Sequence, residues 1–144
     1  MKILALSILA LSAAVQAAEP PAPSYGLYGE RTKLCFNMAK GVECTGEAAN
    51  TLLITPIENK SLALVNLNLI FFNGHTCGVS DAIGEWHDKS ILVKLNEPVS
   101  CEFRIKISSN SATLEDSSDM PCTSHVCGVR GNLNGVVLPL KGAL

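Results

Sequence analysis

The sequence predicts an all-β protein, a small antiparallel β-barrel or sandwich of about six to eight strands stapled by disulfides. Three observations predict it. Apolar and polar residues alternate at period two through much of the chain, the strand signal. Clusters of Asn, Asp, Ser and Gly punctuate these runs at intervals on the order of ten residues. Six cysteines, an even number, follow an N-terminal secretory leader, and an oxidising compartment favours their pairing.

The leader comes first. Met1-Lys2 opens the chain, an apolar run from Ile3 to Val15 follows, and Gln16-Ala17 precedes Ala18-Glu19-Pro20. A charged start, a short apolar core and a small-residue cleavage site define a signal peptide over residues 1–17. The run is too short to cross a bilayer as a helix, which takes roughly 20 apolar residues. Export to the periplasm or the exterior is therefore expected. Residues 18–30, with the Pro-rich "EPPAPS", are expected to form a flexible N-terminal arm, and residues 31–144 a single disulfide-stapled β-domain.

Within that domain "NTLLITPIE" is the first strong strand. "LALVNLNLIFF" follows, with Ala63, Val65, Leu67, Leu69 and Phe71 on one face and Asn66 and Asn68 on the other. Asn73-Gly74 turns the chain. "SILVKL" comes next, and "CEFRIKI" sets Cys101, Phe103, Ile105 and Ile107 against Glu102, Arg104 and Lys106, one dry face and one wet face. "SATLED" and "GVVLPL" close the series, and Pro139 marks the last as an edge or terminal strand. A short helix is expected only around Phe36–Ala39 or Gly46–Asn50.

The cysteines are Cys35, Cys44, Cys77, Cys101, Cys122 and Cys127. Several connectivities are open. Proximity favours Cys35 with Cys44, Cys77 with Cys101, and Cys122 with Cys127. Two blocks look alike, "HTCGV" at 75–79 and "HVCGV" at 125–129. Their likeness ends there, so they read as similar disulfide corners rather than a duplication. The Gly after each Cys is expected to turn the chain with positive φ. His75, Cys77, His125 and Cys127 also have the ligand types of a zinc site, so a metal-binding protein is one alternative. Paired cysteines would lack the thiolates such a site needs.

No catalytic constellation stands out. There is no Gly-x-Ser-x-Gly elbow, and the serines gather in "SSNS" and "DSSD", turn compositions. The acidic pairs Glu115-Asp116 and Glu85 with Asp88 sit on adjacent strand positions or in turns. No Gly-rich phosphate loop and no basic–aromatic patch appears. The expectation is a non-enzymatic protein without cofactor; a hydrolase whose site joins His75, His87 or His125 to a carboxylate is a second alternative. Without Lys2 the mature chain has ten basic and thirteen acidic residues, a formal charge of −3. That balance disfavours nucleic acid and fits a cationic protein partner.

The blocks "NGHTC", "ILVKL", "CEFRIKI" and "CGVRGNLNG", with Trp86 between the first two, resemble a group of small exported Gram-negative proteins carrying "GH-[ST]-C" and "CGxRxxxxG" blocks. The resemblance covers roughly residues 62–140. Such proteins are similar to the β-domains of periplasmic lysozyme-inhibitor-like proteins. The resemblance implies a compact stapled barrel that binds a hydrolase of the cell wall and blocks it. The Ser-Gly-x-x-Tyr loop of some lysozyme inhibitors has no counterpart here, since "SYGLYGE" matches it only loosely, and no inhibitory residue is transferred. From the residues themselves, the partner contacts expected are Trp86, in the polar "GEWHDK" stretch, and His75, His125 and Arg130 beside the two cysteine corners; a plug of the barrel mouth is the equal alternative for Trp86.

Overall fold

A computed structural model describes residues 24–59 and 61–144. The expected leader lies outside the described residues, as do residues 18–23 of the expected arm. Eight strands run in chain order: β1 (Gly26–Met38), β2 (Gly41–Pro56), β3 (Leu62–Ile70), β4 (Thr76–His87), β5 (Ser90–Leu95), β6 (Cys101–Ile107), β7 (Ser111–Asp116) and β8 (Val137–Ala143). Each pairs antiparallel with the next, and β8 returns to β1, so the sheet closes into a barrel. A 3-10 turn at Phe72–Gly74 and a single helical turn, α1 (Thr123–Val126), sit in the connections.

Period-two alternation decides which side chains fill the interior. Ala63, Val65, Leu67 and Leu69 on β3 and Cys101, Phe103, Ile105 and Ile107 on β6 are buried, as their spacing requires. Tyr28, Leu52, Ile54, Ile91, Val93, Leu114 and Leu138 complete the same core, and Phe71 packs at its margin. An eight-stranded barrel is just wide enough for side chains to fill it. Here they do, and the interior is a packed core. Burial deprives the Tyr28 hydroxyl of solvent and raises its pKa; the hydroxyl donates to the Ser24 carbonyl at 3.4 Å.

Gly84 shows how closely the wall packs. A Cβ there would stand 2.2 Å from the Ile91 side chain on the neighbouring strand. Further along β4, Asp81 takes φ of 52°, and the β3–β4 register shifts there between Val65 and Leu67. Asn66 stabilises this bulge from the partner strand: its Oδ1 accepts the Asp81 N–H at 2.9 Å, and its Nδ2 donates to Asp81 Oδ1 at 3.2 Å.

Three expectations are corrected. Gly26–Glu30, placed in the arm, already belong to β1, where Gly26–Tyr28 pair with both β2 and β8. Phe36–Ala39 and Gly46–Asn50 form no helix; they belong to the β1–β2 hairpin, whose cross-strand partners satisfy the backbone instead. The third is the cysteine pairing. Cys35–Cys44 is as expected, but the others are Cys77–Cys127 and Cys101–Cys122. Proximity in sequence failed because α1 turns the chain between Cys122 and Cys127 and sends the two sulfurs to different strands, β6 and β4. The two look-alike blocks are therefore bonded to each other through an antiparallel bridge at Cys77 and Cys127.

The core predicts two opposite failures. Ile105→Ala should leave a void and cost about 2–5 kcal/mol. Gly84→Ala should overpack the Ile91 contact and cost about 1–3 kcal/mol. Denaturant unfolding of both variants measures this; a neutral Gly84→Ala would mean that the β4–β5 wall is looser than its geometry.

Candidate functional site

With the interior filled, the surface has to carry whatever this fold does. Its most unusual element is the β1–β2 hairpin. β8 pairs with β1 only at Gly26–Tyr28, and β3 pairs with β2 only at Thr51–Pro56. Beyond those positions the two long strands pair only with each other, and they project past the barrel as a two-stranded ribbon.

Two features stiffen the ribbon. Cys35 and Cys44 lie directly opposite each other and are bonded; closing so short a loop is worth about 2.5 kcal/mol in the chain-entropy account. Phe36, on the other face, lies against Gly74 of the 3-10 turn, close enough that a Cβ on Gly74 would meet its ring at 3.7 Å. An Arg31–Glu47 ion pair of 3.0 Å joins the strands lower down, but at 81% and 53% side-chain exposure it adds little. Thr45 has no partner in the ladder, because Leu34 pairs with Gly46 and Cys35 with Cys44. This bulge interrupts the ribbon's free edge and blunts it against strand addition. At the tip, Met38 is 57% and Val42 62% exposed, on either side of the Ala39-Lys40 turn.

At the same end, the β7–β8 connection crosses the barrel mouth and buries Leu133. Asp116 organises it: one carboxylate oxygen accepts the Ser117 and Cys122 N–H groups at 3.1 and 2.7 Å, and the other accepts that of Thr123 at 3.0 Å. Gly131 then approaches the Cys77–Cys127 bond so closely that a Cβ would lie 2.8 Å from Cys77 Sγ. Gly78 and Gly128 do not take positive φ. Gly78 continues β4, and Gly128 donates its N–H to the Thr76 carbonyl at 2.8 Å.

Of the expected contact residues, three lie at this end. His75 is half-buried with Nδ1 beside Gly128, while His125 on α1 and Arg130 are exposed. Among the described residues none of the three makes a side-chain hydrogen bond or ion pair. Trp86 is not part of this cluster. It lies near the far end of β4, half-buried, with its ring edge-on to Tyr25 at 5.7 Å between centroids. Its indole N–H and the Tyr25 hydroxyl are buried without partners. Trp86 thus covers the core at the opposite end, apart from the other three.

The bond between Cys77 and Cys127 consumes both thiolates of the metal alternative. Among the described residues no group of three or more His, Cys, Asp and Glu is placed to hold a metal ion. His87 Nε2 stands 3.7 Å from Glu85 Oε2, an open surface pair with both side chains more than half exposed. No helix among the described residues is long and apolar enough to cross a membrane.

The ribbon itself was missed from sequence because Phe36–Ala39 and Gly46–Asn50 lack the period-two alternation that marks the other strands. A signal was present. Cys35 and Cys44 are equidistant from Ala39-Lys40, the symmetry of a hairpin with a two-residue turn.

The ribbon disulfide is the accessible one, since Cys44 is exposed whereas Cys77, Cys101 and Cys122 are buried. Limited thiol treatment followed by alkylation should label Cys35 and Cys44 before the other four, as peptide mass mapping would reveal. Earlier labelling of Cys101 or Cys122 would contradict the packed lid. Compared with protein-family models, curated proteins and solved structures, the chain matches none.

Proposed function

We propose that this is an exported, non-enzymatic binding protein that presents the stapled β1–β2 ribbon to a cleft in a protein partner, and that the partner is a hydrolase of the cell wall. The ribbon carries the reading. It is pre-stiffened by Cys35–Cys44 and by Phe36 on Gly74, and a rigid loop loses less conformational entropy on docking than a mobile one. Its tip offers two exposed apolar side chains around one lysine, a composition suited to a cleft with apolar walls and a carboxylate. The leader read in the sequence, the disulfides and the resemblance to lysozyme-inhibitor-like proteins support export and the choice of partner.

Other exposed apolar residues occur at the same end. Phe72 follows β3, Val99 lies between β5 and β6, and Met120 and Val129 lie on the β7–β8 connection. The turns at the opposite end, Asp88-Lys89 and Ser108-Ser109-Asn110, are polar. Leu27 and Leu144 are exposed at that end too, so the contrast lies in these connections: those beside the ribbon carry exposed apolar side chains and the two turns opposite do not.

Mixing the purified protein with muramidases and peptidoglycan amidases, and following lysis of cell-wall substrate, tests the reading. At least one enzyme should be inhibited at near-stoichiometric ratio. Met38→Asp and Val42→Asp should each weaken inhibition about tenfold or more, since each exposed side chain has roughly 1–2 kcal/mol of burial to gain. Inhibition by none of the enzymes, with no complex on size-exclusion chromatography, would refute the proposal.

A further inference from the structure

A second surface lies at the opposite end, on the outer wall where the β4–β5 turn meets β6. A groove of about 320 Å³ is lined there by His87, Asp88, Lys89, Ser90, Arg104 and Lys106. The notable member is Arg104. Glu115 faces it across the β6–β7 ladder, and Glu102 precedes it by two residues on the same strand face. Arg104 pairs with neither. Its Nη1 donates to Ser90 Oγ at 3.0 Å, and Ser90, only 9% exposed, donates in turn to the His87 carbonyl at 3.0 Å.

Two of the nearby acids, Glu115 and Glu85, are engaged elsewhere, while Glu102 and Asp88 make no ion pair among the described residues. Glu115 Oε1 lies 2.6 Å from Lys106 Nζ, and Glu85 faces His87 at 3.7 Å. Lys89, in the turn, has no ion pair among the described residues. Asp88 is the one carboxylate among the groove's lining residues. Two cations, Arg104 and Lys89, thus line a single concavity without an ion pair of their own, and the carboxylates of Glu102, Glu115 and Asp116 border Arg104 on its other side. Arg104 is moreover half-buried and held in place by a buried hydroxyl.

We propose that this groove binds the phosphoryl group of a ligand, with the Arg104 guanidinium and the Lys89 ammonium as its charged donors. A guanidinium fork presents parallel N–H groups that match two oxygens of a phosphoryl group, and a lysine adds a mobile point charge. Its anchor on Ser90 pre-places the fork, so less rotamer entropy is lost on binding. The net negative charge of the protein opposes any anion at long range, so the affinity is local in origin and falls as salt screens it. This surface is separate from the ribbon and does not depend on the hydrolase reading.

Two sources of the same chemistry, a soluble phosphate ester and a phospholipid headgroup, are separated by two arms of one experiment. In the first, inorganic phosphate is titrated at low ionic strength into the ¹⁵N-labelled protein. Amide shifts should concentrate at His87–Ser90, Arg104 and Lys106 and saturate with Kd in the millimolar range, on the order of −4 kcal/mol. Lys89→Ala and Arg104→Lys should each weaken binding about tenfold, Asp88→Asn should tighten it, and Lys33→Ala should leave it unchanged. In the second arm, phosphatidylcholine vesicles with and without phosphatidic acid are sedimented with the protein. Co-sedimentation that needs phosphatidic acid and is lost in Lys89→Ala and Arg104→Lys assigns a headgroup; phosphate binding without it assigns a soluble ligand. Absence of saturable binding in both arms, shifts spread equally over Arg31, Lys33 and Lys141, or binding indifferent to Lys89 and Arg104 would overturn the proposal. Unchanged far-ultraviolet circular dichroism of each variant separates lost binding from lost fold.

Discussion

Two sulfur–sulfur bonds, made five residues apart on one connection, hold the ribbon end of this molecule together. Cys122 ties the β7–β8 connection to β6 and Cys127 ties it to β4. The first closes 21 residues of chain and the second 50; the longer closure alone is worth about 4 kcal/mol in the chain-entropy account. Between them, the Asp116 carboxylate gathers backbone N–H groups that α1, only one turn long, could not satisfy alone. With the connection pinned, Leu133 can seal the barrel mouth. His75, which the same corner half-buries, follows the 3-10 turn that Phe36 of the ribbon packs against, so the lid and the ribbon share one foundation.

The barrel is a scaffold whose inside is used up. Tyr28, Phe103, Val65, Leu67 and Leu69 of β3, Ile91 and Val93 of β5, and the lid residue Leu133 are all close to fully buried. Function on such a scaffold belongs to what its connections and outer wall present. The two ends differ in kind. One has a stiff ribbon with an apolar tip and further apolar residues in its connections, and the other has polar turns and a groove in which a held arginine and a free lysine face solvent. A molecule of this size can therefore offer two chemically distinct contacts without either disturbing the core.

Legibility from sequence followed the physics of each element. β3 and β6 were readable because one face is dry and the other wet, and strict period two records that difference directly. The ribbon was less readable. It has no core beneath most of its length, so its side chains are exposed on both faces and burial leaves little imprint on the pattern. The disulfide pairing was readable only where the contact is local. Cys35–Cys44 follows hairpin symmetry, whereas Cys77–Cys127 joins chain segments that meet only once the barrel has closed. Trp86 was open between surface anchor and plug for a related reason: its neighbours in sequence are charged, but in β4 they point outward while its own ring turns in against Tyr25. The orientation of Arg104, away from two acids and onto Ser90, depends on three strands and had no signal in any one of them.

Most depends on the bond between the two look-alike blocks. If Cys77 joins Cys127, the lid is tied across the mouth, the thiolates are consumed, and His75 and Arg130 flank one corner. Non-reducing proteolysis with mass mapping of the purified protein tests this directly. The expected products are a peptide joining the Cys77 segment to the Cys127 segment and a second joining Cys101 to Cys122. A local Cys122–Cys127 link, with Cys77 bonded to Cys101, would contradict it and would detach the lid from β4.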